Sequence, residues 1–428
     1  MATGPAAAEL STERDRHNSW LLTGARIALG PRQAEPLDVE IRAGSIFKLH
    51  PPGTADFRTS PVLDLSGALI LPGLINAHDH LEFSLFPRLG RGPYPNAAKW
   101  AEDIHQPNDS PVKEHLQIPK QERLLWGGLK NLLNGVTTVC HHNPYDAEVF
   151  ENHSPRHLAT SHFPLRVVKR FGWAHSLAFS PDITERFRAT PPDAPFIVHL
   201  GEATDDAGRN EIFRLDAMGA LDQRTVLVHA VALDERGLAL VRERGASILW
   251  CPSSNLHTLG ETLTRRTLDS GISVALATDS SITAAGGLLD EIRIAQQVSS
   301  LPSDSLYAMV TEAPARILRL AAGAGTLREQ AAADLLVLPD LGCVPADALL
   351  QHRNSGINAV MVGGEIKLLT SDWLDRLPTP ISGGLHRITV DGRPFGVAGL
   401  DGASLLASAR RALDHAGPLS LAGVMIDS

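Results

Sequence analysis

His78 and His80, in the stretch NAHDH, close an apolar run that begins at Ala68. In a strand, residues two apart point to the same side, so both imidazoles reach for one place, as two ligands of a single ion must. Three more polar residues end runs that otherwise read as core: His199 closes PFIVH, His229 closes TVLVH and Asp279 closes SVALATD. Thirty residues separate His199 from His229, and fifty separate His229 from Asp279. Those intervals match one and two units of an eight-fold β/α barrel of ~250 residues, with the strand SILWC lying inside the longer one. The polar side chains then converge on one barrel mouth. Three of these histidines and the carboxylate would make the ligand set of a catalytic zinc or iron site with an open position for water.

The elements that must hold these residues can be read around them. From Trp20 to Leu65, short alternating runs punctuated by Gly and Pro have the pattern of a small antiparallel sheet. The pattern returns in ADLLVLPD (333–340) and in INAVMVGGEIKLLT (357–370), where a Gly-Gly turn parts two apolar runs. We therefore expect an α/β fold, a (β/α)8 TIM-type barrel with a small β-sandwich domain built from both chain ends. The expected boundaries are 18–67 for the N-terminal part of the sandwich, 68–322 for the barrel, 323–375 for the C-terminal part of the sandwich, and 376–428 for an extension with one helix, Gly402 to Ala416, on the outside. Eight barrel strands are expected: ALILPGLINAH, GVTTVCH, LRVVKRF, WAHSLAF, PFIVHLGE, TVLVHAV, SILWCPS and SVALATDS. DERGLALVRERG and ETLTRRTLDSG read as helices closed by Gly. Only about sixty residues run from the second strand to the fifth, so the barrel is expected to be distorted around strands 3 and 4. The first unit is stretched instead, because residues 85–119 place a long Gly- and Pro-containing segment over the active face.

Composition narrows the function classes. Of 428 residues, 43% are hydrophobic and 20% charged, enough apolar material for a sizeable core. Lys and Arg number 39 against 48 Asp and Glu, a formal net charge of −9, which argues against nucleic acid or an anionic membrane as the partner and favours a small molecule. Residues 1–17 read as a frayed tail with no apolar targeting segment, and no run approaches the ~20 apolar residues of a bilayer span. The three cysteines, Cys140, Cys251 and Cys343, form neither a CxxC nor a disulfide framework, so a reducing compartment, the cytoplasm, is expected.

Taken together, PGLINAHDH, HLGE, VLVHAV, CPSSN and ATDS resemble the strand-end motifs of the amidohydrolase superfamily, in the subgroup of guanine deaminase, adenosylhomocysteine deaminase and the triazine hydrolases. The resemblance covers roughly residues 20–370. It implies one divalent metal, zinc or iron, held by His78, His80, His199 and Asp279, with Glu202 and His229 at the reaction centre. His229 would either complete the ligand set or orient the attacking hydroxide. The carboxylated lysine of binuclear relatives is not implied, and Lys169 reads as structural. A homodimer is compatible with the resemblance.

The expected reaction is hydrolysis of a C–N bond, the deamination of an amino-substituted nitrogen heterocycle. Water activated by the metal, its pKa lowered from about 15.7 toward ~7, attacks the ring. Asp279 accepts the water proton, and Glu202 protonates a ring nitrogen and then passes protons to the leaving amine. Two alternatives keep the same residues: hydrolysis of a cyclic amide, guanidine or carbon–halogen bond, and a metal-binding scaffold without turnover. His175, in GWAHSLAFS, resembles the subgroup's fourth-strand histidine, with Ala174 and Leu177 in place of its flanking Pro and Tyr; either substrate contact or core packing fits it. Trp100 lies on the long first loop with Tyr94 and Glu102, where an aromatic could stack on a planar ring or simply pack. Ser254 and Asn255 are read as fixing a turn, Cys251 as an inert thiol, and at most one of His141 and His142 as facing the mouth.

Overall fold

The computed structural model describes residues 19–55, 61–151, 162–374, 377 and 384–427; the expected N-terminal tail lies outside them. Eight strands run parallel in the centre of the chain: β1 (Leu74–Asp79), β2 (Val136–His141), β3 (Arg166–Val167), β4 (Gly172–Ser176), β5 (Phe196–Leu200), β6 (Thr225–His229), β7 (Ser247–Trp250) and β8 (Val274–Leu276). They form two ladders, β3-β2-β1 and β4-β5-β6-β7-β8. The ladders meet between β1 and β8, where Asp79 bridges Asp279 and the Asp279 N–H donates to the His78 carbonyl at 3.1 Å. Across the opposite seam no ladder joins β3 to β4 among the described residues. Strand β3 is two residues long, and the four residues between it and β4 leave no room for a helix. The distortion thus falls where the compressed spacing placed it. Ile75, Ala77, Ile197, Val226, Val228, Leu249, Ala275 and Ala277 fill the interior as one buried cluster, so this is a packed core and not a pore.

Both chain ends build the flanking sheets. Strands Ser45–His50, Asp38–Arg42, Trp20–Thr23 and Val62–Asp64 form one sheet. A ten-stranded sheet combines Arg26–Ala28, Ala34–Pro36 and Ala68–Pro72 with Leu335–Pro339 and the strands that follow it. The Trp20 indole N–H donates to the Gly364 carbonyl at 2.9 Å, tying the first strand to the Gly-Gly turn.

The structure corrects several details of the sequence reading. The apolar run from Ala68 is two strands: Ala68–Pro72 pairs antiparallel with Leu335–Pro339, and only from Leu74 does the chain enter the barrel. Gly73 allows the crossing, since a Cβ there would lie 2.3 Å from the Thr137 side chain of β2. ETLTRRTLDSG is helical only over Arg265–Leu268, whereas DERGLALVRERG forms its helix and ends on Gly245 at φ 73°. The C-terminal extension is more than one outer helix. Strands Leu385–Val390 and Arg393–Ala398 extend the large sheet, and Gly402–Leu413 packs against the short helix Val112–Leu116 of the first loop.

Four helices matter to the site: α1 (Ala97–Ile104), α2 (Lys120–Leu132), α3 (Pro252–Leu259) and α4 (Leu288–Ser299). The Asn96 side chain caps α1 by accepting from the Lys99 N–H at 3.0 Å. Among the described residues no helix is long and apolar enough to cross a membrane.

Candidate active site

Alternation along β1 does what the sequence pattern requires: His78 and His80 face one side, with ring centroids 4.9 Å apart, while Asp79 turns away. The Nε2 atoms of His78 and His80 each lie 3.5 Å from Asp279 Oδ1, and His78 Nε2 is 3.1 Å from His199 Nε2. His229 Nε2 stands 4.0 Å from Asp279 Oδ2 and 3.5 Å from Glu202 Oε2. Every candidate read from the strand ends is therefore gathered at one mouth. His229 and Asp279 reach it from left-handed backbone, φ 74° and 60°, a conformation that is costly for residues other than glycine and concentrates at functional sites.

The donor set suits a cation. Burial pushes the His78 imidazole down to about 4 and holds His199 well below its ordinary value, so both rings are neutral near pH 7 and present lone pairs. Burial pushes the Asp279 carboxyl up, but the surrounding imidazoles of His78, His229 and His80 outweigh it and keep the group well below the usual carboxylate range. His229 Nε2 is buried without a hydrogen-bond partner, as is His175 Nδ1. Glu202 differs from Asp279. Burial, aided by the charges of Asp279 and Glu211 and opposed by His229, raises it to about 7.

A second layer of contacts fixes how these groups point, and the sequence reading missed it. Asn255 Oδ1 accepts from His229 Nδ1 at 2.8 Å, which leaves the His229 Nε2 lone pair for the centre. Ser254 and Thr283 donate to Asp279 Oδ2 at 2.6 and 3.2 Å, leaving Oδ1 toward the histidines. These two residues of the CPSSN motif orient the reacting groups, where a turn-fixing role was expected. Of the His141–His142 pair, His142 faces the site. Its Nε2 donates to the Ala174 carbonyl at 3.1 Å, so its Nδ1 accepts from His78 Nδ1 at 3.1 Å, and that bond assigns the His78 lone pair to Nε2. His141 turns the other way, 3.5 Å from Glu82. Cys251 is fully buried with its thiol pushed up, and the exposed Lys169 pairs with Glu151 at 2.9 Å, so both keep the structural roles expected of them.

The start of α3 is braced from behind. Glu291 on α4, fully buried, accepts from the Ser253 N–H at 3.0 Å and bonds the Ser253 hydroxyl, and burial pushes its carboxyl up to about 8. The folded chain therefore keeps this proton to a higher pH than the unfolded chain, whose Glu ionises near ~4.3. Stability should fall as pH rises from about 4.5 to 8, because across that window the unfolded state binds fewer protons. Glu291→Gln mimics the protonated form, with a carbonyl for the Ser253 N–H and an amide donor for its hydroxyl. Its Tm should be less pH-dependent than that of wild type between pH 5 and 8; an unchanged slope would remove Glu291 from this role.

The mouth opens into a cavity of about 690 Å³ lined by His80, His199, Glu202 and Asp279 and also by His175 and Trp100. The Trp100 indole N–H donates to the Leu89 carbonyl at 3.1 Å, which holds the ring on this wall. Glu102 is exposed and pairs with Lys99 at 2.7 Å, and Tyr94 bonds Asp103; neither lines the cavity. A second cavity of about 670 Å³ lies between the C-terminal extension and the loops after β1 and β8, and none of the candidate residues borders it.

The fold thus places strand-end histidines and acids together at the C-terminal mouth of a β/α barrel, and known proteins show similarity to it. Residues 194–367 match the model of the Amidohydrolase family. A 5-methylthioadenosine/S-adenosylhomocysteine deaminase of Syntrophobacter fumaroxidans is 27% identical over 82% of this chain and 93% of its own length; its counterpart from Pyrococcus furiosus is 27% identical over 73% and 86%. Among solved structures, the zinc-bound adenosine deaminase of Xanthomonas campestris shares the fold with a TM-score of 0.69 at 18% identity, covering 92% of this chain and 98% of that one. The zinc complex of atrazine chlorohydrolase from Arthrobacter aurescens gives 0.69 at 19%, covering 92% and 100%. Residues 194–367 are thus similar to the Amidohydrolase family, the chain resembles these deaminases in sequence, and it shares the fold of these solved structures.

Proposed function

We propose that this protein is a metal-dependent deaminase that hydrolyses the exocyclic C–N bond of an amino-substituted nitrogen heterocycle. The observation that carries the reading is the pairing of two acids in opposite states at one centre: Asp279 is held ionised among imidazoles, and Glu202 is held near half-protonation by burial. Two carboxyl groups pushed apart in this way mark a base and an acid. The deaminase names of the sequence relatives support the same reaction.

His78, His80, His199 and Asp279 would hold one divalent ion, zinc or iron, with His229 either completing the set or orienting the attacking water. Such an ion supplies Lewis acidity and brings the pKa of water from about 15.7 toward ~7. Glu202 donates its proton to a ring nitrogen and so makes the amine-bearing carbon electrophilic. Asp279 accepts a proton from the water as its oxygen bonds to that carbon. Protons returned through Glu202 convert the amine to ammonia, the C–N bond breaks and a ring carbonyl remains. His175 and Trp100 line the space in which the ring must sit.

The test is ammonia release by zinc-reconstituted protein from aminopurines, aminopyrimidines and aminotriazines. Release from at least one ring type is expected; silence from all of them with about one metal per chain would overturn the deaminase reading in favour of amide, guanidine or halide hydrolysis. For the ion, His78→Ala and Asp279→Ala should each lower bound metal well below that of wild type by elemental analysis after dialysis. Unchanged stoichiometry in both would remove these ligands.

A further inference from the structure

Helix α1 lies on the outer wall of the catalytic cavity and is amphipathic in a particular way. Ala97, Trp100, Ala101 and Ile104, at spacings i, i+3, i+4 and i+7, form one apolar stripe, while Lys99, Glu102 and Asp103 face solvent. Such a stripe ordinarily packs on a core. Here all four residues border the cavity, and no residue of the helix is buried. Across the space stand Phe83, Phe86, Leu116, Phe179 and Ile282, with Phe179 and Leu116 exposed at 53% and 44%. The polar lining includes the candidate catalytic groups together with His105 and Gln106 just after α1, Asn143, Ser180 and Arg186.

Charged groups that could recognise a polar substituent are scarce. Among the described residues the wall of this cavity has only two carboxylates, Glu202 and Asp279, both assigned to the reaction, and the two further ones of the adjoining smaller cavity, Asp205 and Glu211, already accept from the Gly208 and Gly201 N–H groups at 2.8 and 2.7 Å. Glu82 is turned away, accepting from Asn143 at 2.7 Å beside His141. Among the described residues Arg186 is the one Arg or Lys on the wall, and it donates to Asp182 at 2.8 Å and lies over the Trp173 ring. At about 690 Å³ the space is of a size that takes drug-sized ligands, with room beyond a bare heterocycle.

We propose, building on the deaminase reading, that the substrate is an amino-heterocycle carrying a large uncharged apolar substituent, aryl or alkyl, which covers the stripe of α1. The ring occupies the inner end, and the substituent takes the place of the core that the helix otherwise lacks. The relatives named as 5-methylthioadenosine/S-adenosylhomocysteine deaminases act, by that name, on sugar-bearing compounds, so this chain would differ from them in the outer half of the site.

The experiment uses metal-loaded Glu202→Gln, in which turnover is suppressed, and calorimetric binding of matched pairs: 9-benzyladenine against adenosine, 9-benzylguanine against guanosine, and 1-benzylcytosine against cytidine. The benzyl member should bind about tenfold or more tightly in at least one pair. Adding Ile104→Asp, at a half-buried site on the cavity wall, should weaken that benzyl ligand several-fold and leave its ribosyl partner nearly unchanged. Equal or tighter ribosyl binding in every pair, absence of benzyl binding, or indifference to Ile104→Asp overturns the proposal. Ammonia release by the unmodified enzyme on the same panel separates the two readings. Turnover with ribosyl preference removes only the apolar substituent, and benzyl binding without ammonia removes only the deamination.

Discussion

Glu202→Gln is expected to lower kcat by about 10²-fold or more while the protein still binds its metal. The carboxyl group lies just past the end of β5, three residues beyond His199, with Oε2 3.9 Å from His199 Nδ1 and 3.5 Å from His229 Nε2. Its carboxylate groups with His199 and His229 and not with His78, His80 and Asp279, so its loss should cost chemistry far more than affinity for the ion. Gln is nearly isosteric and can still donate a hydrogen bond to a ring nitrogen, but it has no proton to give. Substrate binding should thus survive where turnover does not, and KM should change much less than kcat. The proton is available in wild type because burial raises Glu202 to about 7. The fall in kcat/KM on the alkaline side, caused by loss of that proton, should disappear in the variant. Steady-state ammonia release with metal analysis of the same samples checks all of this, and a variant as active as wild type would take Glu202 out of the mechanism.

The parts of this site that were legible in the sequence are those fixed by strand geometry alone. The HxH alternation and the strand-end positions of His199, His229 and Asp279 depend only on period two and on the repeat length of a β/α unit. Asn255, Ser254, Thr283 and His142 were not legible as orienting residues, because each works through an approach set by tertiary packing. Asn255 meets His229 across 26 positions of chain, and His142 meets His78 across 64. No local pattern records such distances. The run from Ala68 to Ile75 was misread as one strand for a related reason: continuous apolar sequence says that a segment is buried but not in which sheet, and Gly73 divides it through contact with a distant threonine. Helix α1 lies where the resemblance placed a substrate-covering helix on the long first loop, but its bounds were not legible, since its four-residue stripe is too short to stand out as a period.

Lys130→Met should produce the largest loss of stability, about 3–5 kcal/mol by denaturant titration of the metal-free protein. Asp79, between the two β1 histidines, points away from the mouth and is fully buried. Lys130 Nζ, itself 1% exposed, meets Asp79 Oδ1 at 2.9 Å, and the side-chain amides of Asn131 and Asn76 donate to Oδ2 at 2.7 and 3.1 Å. Helix α2 is thereby tied to β1 directly behind the pair that presents His78 and His80. Methionine fills the volume of the lysine stem but leaves the carboxylate without its cation in a site that water does not reach, and the penalty comes from that uncompensated charge. Asp79→Asn removes the charge in turn, so the double variant Lys130→Met/Asp79→Asn should recover more than half of the loss. A double-mutant cycle measures this coupling. Working without metal matters, since ligand binding to the folded state would add its own stabilisation and mask the change. Losses that simply add in the double variant would show that Lys130 contributes packing and not charge.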